Sequence, residues 1–444
     1  MTSLHDRLAD LAEDAPTPAT DPGLWDVARR YHRRRRAGAA VLAAAVVVAL
    51  LGAAGAVWPS ATGSLQPAAP ATPSALPSRV VDPSPWLPTS AAPGPLALVM
   101  QAEQRSWTGS DWGSLVGVSA TTGAYTFLDL PGRASDVASG ITAQVALSPS
   151  GRWLAYWTAD GDTSADRHPD GLTGLAAVDL ETGRVVRQEV TSPHGISPWD
   201  LAWADDETVV ASWGDIDAAD ASSSRNRLGV QLWTPTSNSG PSPIGPVRGR
   251  TAYQVEDTPG DGSVLLGVRG FVLVDTADLT DTDRYVVPGI AGAPDEGVLG
   301  TPRLSPDHDH LTLIDGADDR LAVAEVSPGS RTDAVVVPSE VRVYETYGWS
   351  GDDHVVVAGD PEGADGLGGT LRSIDVRTGE AETLVRLDSF VGTEIALARD
   401  LLAVPPVERP DPPSPWDPRV AAGAALLGVL VAAGALVWRR RARV

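Results

Sequence analysis

The sequence predicts an all-β fold, a β-propeller of six blades, with one transmembrane α-helix on either side of it. Three observations support this prediction. Short apolar segments separated by turns recur along the chain, most of these turns contain glycine or proline, and an uncharged apolar run lies near each end. A repeat of about 50 residues made of strands and turns is typical of propellers, in which each repeat forms one blade.

Hairpin turns are the first recurring element. Most of them contain Gly, which adopts the positive φ that a tight hairpin requires. Apolar, β-branched strands flank them, for example at 371–376 and 382–387. The turns lie at 120–123, 181–183, 236–240, 279–283, 327–329 and 377–379.

The second recurring element is a turn of the Ser-Pro-x-Gly type that precedes a buried strand. Versions of it lie at 148–151, 204–207, 259–262, 305–308 and 350–353. The two elements alternate and their number favours six blades, although five or seven blades also fit. The strands predicted at 96–101 and 393–404 then share one blade and close the ring, which removes free sheet edges.

Two apolar runs are each long enough to cross a bilayer, which requires about 20 residues. The first, 37–58, follows the arginines at 33–36, and the second, 420–438, precedes Arg439, Arg440, Arg441 and Arg443. Arginine clusters of this kind remain in the cytoplasm. The alternative for the first run is a signal peptide cleaved at Ala54-Gly55-Ala56.

This topology divides the chain into seven parts and places the propeller outside the cytoplasm of a two-pass membrane protein. Segments rich in Pro, Ala and Ser lack the periodic apolar pattern of a core and are predicted to be extended tethers. The parts are a cytoplasmic stub 1–36, a helix 37–58, a linker 59–95, the propeller 96–404, a Pro-rich spacer 405–419, a helix 420–438 and an Arg tail 439–444.

Composition and charge exclude several functions. The chain has no Cys, so disulfides, thiolate metal sites and thiol catalysis are absent. Its basic residues are all Arg, and with abundant Ala, Gly and Pro this indicates an actinobacterial source. Residues 59–419 carry 51 of the 57 acidic residues and 23 of the 34 basic ones, and a surface this acidic repels nucleic acid.

Two phrases carry a family resemblance. Ser-Pro-Ser-Gly-Arg-Trp-Leu-Ala-Tyr at 148–156 and Val-Asp-Leu-Glu-Thr-Gly at 178–183 resemble the repeat of TolB-like six-bladed propellers. The resemblance is best over 147–213 and 303–380. It is WD-like only in outline, because the Gly-His and Trp-Asp markers of WD repeats are missing in register. The resemblance implies a scaffold that binds proteins or ligands and transfers no catalytic residue.

Motifs for catalysis are missing from the sequence. It contains no Gly-x-Ser-x-Gly elbow and no glycine-rich phosphate loop, so we expect a protein that is not an enzyme and binds no organic cofactor. The alternative is a lyase or glycan-cleaving propeller that uses a pair of its many carboxylates.

One loop has the oxygen pattern of a weak calcium site. Asp160, Asp162, Ser164 and Asp166 alternate as in the first half of a calcium-binding loop, but Ala165 replaces the usual Gly and Gly171 the usual Glu. The alternative is a solvated acidic loop.

Other polar and aromatic residues allow both a structural and a functional interpretation. Asp215, Asp217 and Asp220 form a second acidic loop, and His308 and His310 are half of a transition-metal site or a polar turn. Packing in the core is the main interpretation of the remaining aromatics, Trp153, Trp157, Trp203, Trp213 and Trp349. The alternative is that some of them line the central opening or the top face, where aromatics would anchor sugars or peptides.

These observations favour a membrane-anchored recognition scaffold at the cell envelope. Its partners would be the lipid bilayer and an extracytoplasmic protein, peptide or glycan, contacted through loops such as 158–171 and 214–227. The alternative is a transmembrane sensor that relays an external binding event through residues 1–36 to a cytoplasmic transcriptional regulator.

Overall fold

The computed structural model divides into two compact units, residues 68–415 and residues 1–67 with 416–444. The described part of residues 68–415 consists mainly of strands, and the described part of the other unit contains a long helix. The structure describes residues 23, 73–107, 109–134, 145–159, 171–218, 224–225, 229–237, 240–244, 254–267, 271–277, 281–285, 298–315, 318–327, 333–361, 369–388, 395–415 and 417–441.

The described strands of the first unit form six sheets, named A to F in chain order. Two short strands precede them, β1 (Arg79–Val80) and β2 (Thr89–Ser90). Sheet A contains β3 (Leu96–Arg105), β4 (Ser110–Ser119) and β5 (Tyr125–Leu128). Sheet B contains β6 (Val145–Leu147), β7 (Trp153–Thr158), β8 (Gly174–Asp179) and β9 (Arg184–Glu189). Sheet C contains β10 (Ile196–Trp203), β11 (Val209–Ile216), β12 (Ser224–Arg225), β13 (Val230–Trp233) and β14 (Ser242–Pro243).

The other three sheets continue the same order. Sheet D contains β15 (Gln254–Asp257), β16 (Ser263–Gly267), β17 (Phe271–Asp275) and β18 (Asp281–Tyr285). Sheet E contains β19 (Val298–Leu304), β20 (His310–Asp315), β21 (Arg320–Glu325) and β22 (Val335–Val336). Sheet F contains β23 (Val341–Trp349), β24 (His354–Pro361), β25 (Thr370–Asp375) and β26 (Ala381–Leu387). The last strand, β27 (Ile395–Leu397), returns to sheet A, and the helix α1 (Pro418–Arg441) follows.

Each sheet is a set of antiparallel hairpins that begins at an inner strand. In sheet B the order is β6-β7-β8-β9, and Trp153 pairs with Asp179 in the register of β7 with β8. Every residue of β7 is buried, because its two faces pack on different sheets. Leu154 and Tyr156 join the core with sheet A, whereas Trp153, Ala155 and Trp157 join the core with sheet C.

The cores between sheets close the structure into a ring. Successive apolar clusters join sheets B and C, C and D, D and E, and E and F. The largest cluster joins sheets F, A and B, and therefore connects the end of the series to its beginning. A closed series of sheets that pack face to face is a β-propeller. The predicted all-β propeller is confirmed.

The first and last strands of the ring share one sheet, as predicted. Strand β27 pairs antiparallel with β3, with Ile395 opposite Met100 and Leu397 opposite Leu98. This pairing joins the two ends of the propeller sequence by main-chain hydrogen bonds. Two sheet edges that would otherwise be free are removed in this way.

Several predicted turns are also confirmed. Gly123, Gly183 and Gly379 have positive φ angles of 72°, 72° and 77°, as tight hairpins require. The hairpin predicted at 279–283 joins β17 and β18, but its turn lies earlier than predicted, because β18 already begins at Asp281. This segment lacks the glycine that marks the other turns.

The linker prediction for 59–95 is wrong in its described part. Leu76, Val80 and Leu87 are buried in the core, and β1 and β2 add parallel strands to the outer edges of sheets F and A. The described part of this segment, 73–95, is called the strap below. An apolar side chain of the strap is removed from water when it covers an existing sheet edge, so the strap needs no periodic apolar pattern of its own.

The spacer 405–419 is likewise part of the fold at its beginning. The N–H of Val407 donates to the carbonyl of Leu76, and the N–H of Ser78 donates to the carbonyl of Val407, both at 2.9 Å. Nη2 of Arg409 donates to the carbonyls of Ala120 and Pro73. The strap and the spacer therefore lie side by side at the edge of the propeller.

Helix α1 is the described helix that is long and apolar enough to cross a membrane, over Pro418–Arg439. It covers the second predicted transmembrane segment. The first predicted segment, 37–58, and the stub 1–36 apart from Gly23 lie outside the described residues, so the two-helix arrangement stays a prediction.

Candidate ligand-binding channel

A cavity of about 410 Å³ lies among the inner strands of the ring. Its lining comes from β6, β10, β15, β19, β23 and β27, which are the strands at the inner end of each sheet. The two halves of its wall differ in character. The strands of sheets A and B contribute apolar residues such as Val145, Leu147 and Ile395, and Arg399 after β27 is the charged exception on this side. Sheets C to F contribute Asp200, Asp257, Arg303 and Glu345.

The charged half of the wall coincides with irregular strands. The inner strands of sheets C to F each contain a register shift, and the first residue that pairs again after the shift is charged. These residues are Asp200, Asp257, Arg303 and Glu345. A bulge inserts an extra residue and redirects the side chains that follow it. The pairings of β6 and β27, which line the apolar half, contain no such shift. The bulges therefore direct the charges into the channel.

Asp257 is the last residue of its inner strand, β15, and differs in type from the residues that end the other inner strands. The corresponding last residues of the other inner strands are all Leu or Trp, namely Leu147, Trp203, Leu304, Trp349 and Leu397. An aspartate here is buried, with 2% of its side chain exposed. Burial of a carboxylate is unfavourable unless it is paired and hydrogen-bonded. This position therefore requires partners, and the structure supplies them.

Two arginines neutralise Asp257. Nη1 of Arg303 donates to Oδ1 at 2.9 Å and Nη1 of Arg399 lies 3.1 Å from the same oxygen. The N–H of Leu304 donates to Oδ2 at 2.8 Å. Arg399 follows β27 of sheet A, and sheets A and D lie three apart in the ring. The ion pair between Arg399 and Asp257 therefore reaches across the channel.

The arginines retain donors for a ligand. Nε of Arg303 donates to the carbonyl of Thr346 at 3.0 Å. No acceptor among the described residues contacts Nη2 of Arg303, or Nε and Nη2 of Arg399. Both side chains line the cavity and are 14% and 21% exposed. Within this cluster two guanidinium groups face one carboxylate, whereas over the whole lining two guanidinium groups face three carboxylates.

The other polar groups of the channel are already hydrogen-bonded. Asp200 accepts hydrogen bonds from Oγ of Ser212 and, at 3.2 Å, from the N–H of Val255. Burial raises the pKa of Asp200, and these two bonds oppose the increase. The hydroxyl of Tyr347 donates to Oε2 of Glu345 at 3.4 Å, and burial raises the pKa of this phenol well above its usual value. Tyr347 is therefore a neutral donor.

The pKa of Arg399 is shifted downward, whereas the pKa values of Asp200 and Tyr347 are shifted upward. Burial lowers the pKa of the Arg399 guanidinium, and the charge of Arg303 acts in the same direction, while Asp257 opposes both. A second anion near Arg399 would act on this pKa in the same direction as Asp257.

Indole groups hold the channel wall in place. Nε1 of Trp203 donates to the carbonyl of Ala146 in sheet B at 2.9 Å, and Nε1 of Trp349 donates to the carbonyl of Arg303 in sheet E at 3.0 Å. Each bond joins the inner strands of neighbouring sheets. The predicted packing role is confirmed for all five tryptophans, which are buried. Two of them also fix the backbone beside the site.

Trp199 is the aromatic residue that sequence reasoning missed. It lies at the bulge of β10, lines the cavity and is 37% exposed. Its Nε1 lies 3.4 Å from Oγ of Ser224. The sequence signal for Asp257 was present, since Val-Glu-Asp stands before Thr-Pro-Gly where other repeats end in Leu or Trp. Arg303 and Arg399 have no comparable signal.

The predicted calcium ligands Asp160, Asp162, Ser164 and Asp166 lie outside the described residues, as does Asp220. Asp217 forms an ion pair with Arg225 at 2.9 Å. Nε2 of His308 lies 3.0 Å from Asp261, in a contact between the turns of sheets E and D, and His310 packs on Trp349. Within the described ranges, no group of three or more His, Asp or Glu residues is arranged to hold a metal ion.

No protein family and no curated protein matches the sequence. Among solved structures, the chain is similar to a putative TolB from Agrobacterium tumefaciens, with 16% identity, a TM-score of 0.34, and coverage of 57% of this chain and 82% of the other. It is similar to a chain of the nidogen/laminin complex, with 10% identity, a TM-score of 0.38, and coverage of 68% and 98%. It is also similar to TolB from Acinetobacter baumannii, with 14% identity, a TM-score of 0.38, and coverage of 69% and 66%.

Proposed function

We propose that this chain is a membrane-anchored recognition protein whose six sheets form the six blades of a propeller outside the cytoplasm. The channel is its binding site for a protein, peptide or glycan partner at the cell envelope. The observation that carries this proposal is the set of charged residues directed by bulges into one cavity of about 410 Å³. Cavities of this size with a few convergent polar groups are typical of ligand sites.

Membrane anchoring is supported by helix α1 and the arginines that follow it. Arginine at this end favours a cytoplasmic C-terminus and a propeller on the opposite side. The strap and the spacer also leave the propeller next to each other, at Pro73 and Arg409. Because the two flanking segments leave the propeller at neighbouring positions, they are consistent with a chain whose two ends enter the same membrane.

We propose binding rather than catalysis. The carboxylates that line the channel have partners: Asp200 accepts from Ser212, Asp257 from Arg303, and Glu345 from Tyr347. A general acid or base needs a carboxyl group that is available to the reacting atom. Groups held in this way are better suited to orienting a ligand.

The absence of Cys allows a direct test of topology, because a single engineered cysteine is the only thiol in the chain. Ser110→Cys, on the β3–β4 hairpin, should react with a membrane-impermeant maleimide in intact cells. Ser3→Cys, in the predicted stub, should react only after the cells are permeabilised. Labelling of Ser3→Cys in intact cells, or protection of Ser110→Cys, would contradict the topology.

Partner binding is tested with a photo-crosslinking amino acid at Trp199, in the channel. The matched control is the same amino acid at Val335, which is 66% exposed on the outer strand β22 of sheet E. Crosslinked products should form from position 199 and be absent from position 335. Equal products from both positions, or none from 199, would refute the channel as the binding site.

A further inference from the structure

We infer that the channel recognises the free C-terminal carboxylate of a short peptide, through Arg303 and Arg399. This inference rests on the proposed recognition function, because it names the ligand of the same channel. It starts from the charges around the ion pair of Arg399 with Asp257. Asp257 neutralises one of the two guanidinium groups, and a monoanionic ligand would neutralise the other.

The geometry of the donors suits a carboxylate. Arg303 and Arg399 share one oxygen of Asp257, so their guanidinium groups are held close together. Nη2 of Arg303 and the Nε and Nη2 atoms of Arg399 have no acceptor among the described residues. Guanidinium groups bind carboxylates through paired N–H···O bonds. The site therefore offers several donors to one planar anion.

The charge of the wall disfavours larger anions. Asp200 and Glu345 line the same cavity, in sheets C and F. A phosphate dianion would add two negative charges near these carboxylates, whereas a carboxylate adds one. Outside the channel, the acidic surface repels polyanions as well. Three carboxylates and two guanidinium groups line the cavity, so a single carboxylate bound at the arginine pair is the anion that this wall repels least.

A peptide suits the remainder of the channel. The inner strands β6, β10, β15, β19, β23 and β27 each stand at the end of their sheet's strand order. Strands at a sheet edge present backbone N–H and C=O groups, and those that the side-chain bonds described above do not use can pair with an extended peptide. Trp199 supplies an exposed aromatic surface for a peptide side chain. The arginine pair would hold the end of the chain while the strand edges contact its backbone.

The test uses the full chain in detergent and saturation-transfer difference NMR with two small peptides. N-acetyl-Ala-Ala with a free carboxylate should bind about tenfold more tightly, or better, than the same peptide as its amide, since hydrogen bonds to charged groups are among the strongest. Glucuronate and inorganic phosphate should bind more weakly than the free acid. Equal binding of acid and amide, no binding of either, or tighter binding of glucuronate or phosphate would overturn the inference.

Variants identify the residues. Arg399→Gln should weaken binding of the free acid about tenfold and leave the amide unchanged, and Arg399→Lys should lie between Arg399→Gln and the native chain. The matched control is Arg105→Gln on the exposed β3–β4 hairpin, where Arg105 pairs with Glu103 at 2.8 Å. The thermal midpoint shows that each variant is folded. Unchanged binding of the acid by folded Arg399→Gln would overturn the assignment.

The two proposals fail separately. Crosslinking from position 199 without selectivity for the free acid would overturn the carboxylate inference and leave the recognition function intact. Loss of crosslinking from position 199 would overturn the recognition function itself.

Discussion

Asp257 and Arg399 form an ion pair of 3.1 Å between opposite sides of the propeller. Asp257 ends the inner strand of sheet D and Arg399 follows the inner strand of sheet A. The contact therefore links segments that are far apart in both sequence and ring order. It also places a charged pair where the other inner strands end in Leu or Trp.

Asp257→Asn should destabilise the propeller strongly. The substitution leaves Arg303 and Arg399 without a buried counter-charge, which costs about 3–5 kcal/mol in the free energy of unfolding. Urea unfolding of the full chain in detergent, followed by tryptophan fluorescence, measures the change. The double variant Asp257→Asn with Arg399→Gln should lose less than the sum of the single variants, because both disrupt one network. A loss below about 0.5 kcal/mol for Asp257→Asn would contradict the pairing, since that is within the range of an ordinary surface change.

Gly151→Ala should be far more damaging than Gly351→Ala, although both glycines have positive φ, at 76° and 97°. A Cβ at Gly151 would lie 1.9 Å from the carbonyl oxygen of Leu96, whereas nothing lies within 4 Å of a Cβ at Gly351. The left-handed backbone costs each alanine about 1–2 kcal/mol. Gly151→Ala should exceed this cost because the turn of sheet B must move away from sheet A.

Thermal unfolding of the two glycine variants checks this prediction. Equal midpoints would show that the close approach of Gly151 to Leu96 does not contribute to stability. Gly351→Ala thus serves as the control for backbone strain alone.

Leu76→Ala should destabilise the propeller by about 2–5 kcal/mol, the usual cost of truncating a buried leucine. Leu76 is 0% exposed although it lies in a Pro-rich segment. Val335→Ala, at an exposed position, should change the free energy of unfolding by less than about 0.5 kcal/mol. Urea titrations of both variants measure the difference. A negligible effect of Leu76→Ala would restore the interpretation of this segment as a tether.

Asp261→Asn should reduce the acid sensitivity of the fold. Burial raises the pKa of Asp261, but hydrogen bonds from His308 and Ser263 outweigh burial and hold the pKa below its usual range. A carboxyl group with a lowered pKa in the folded state stabilises the fold above its unfolded pKa of about 4. This contribution is lost as the pH falls through the folded pKa.

The measurement is the stability of the native chain minus that of Asp261→Asn, as a function of pH. The difference should decline as the pH falls below about 4, where the unfolded chain takes up the proton that the native carboxyl group resists. A difference that grows toward acid would contradict the assigned direction of the pKa shift.

Much of the propeller was predictable because its determinants are local. The hairpin glycines Gly123, Gly183 and Gly379 require positive φ, and the continuous apolar run of β7 reflects a strand buried on both faces. The pairing of β27 with β3 followed from the need to close the ring. These inferences depend on residues within a few positions of each other, or on topology alone.

The strap and the channel were not predictable in the same way. Leu76 is buried because β26 and the spacer provide surfaces for the strap, and neither surface can be read from the strap itself. Arg303 and Arg399 became a pair because bulges and ring closure bring them to one carboxylate, Asp257. A bulge depends on the balance of both neighbouring strands, so a single strand sequence does not reveal it.

By itself, the sequence determined the class of fold, the positions of most hairpins, the sheet that closes the ring and one apolar helix, because backbone dihedral preferences and apolar periodicity act locally. Only the tertiary structure decided which charges meet in the channel and which part of the linker is folded. Those features depend on contacts between segments as distant as Asp257 and Arg399, or Leu76 and Val407. Burial makes such contacts necessary, since a charge or an apolar side chain removed from water is stable only beside the partner that the whole ring provides.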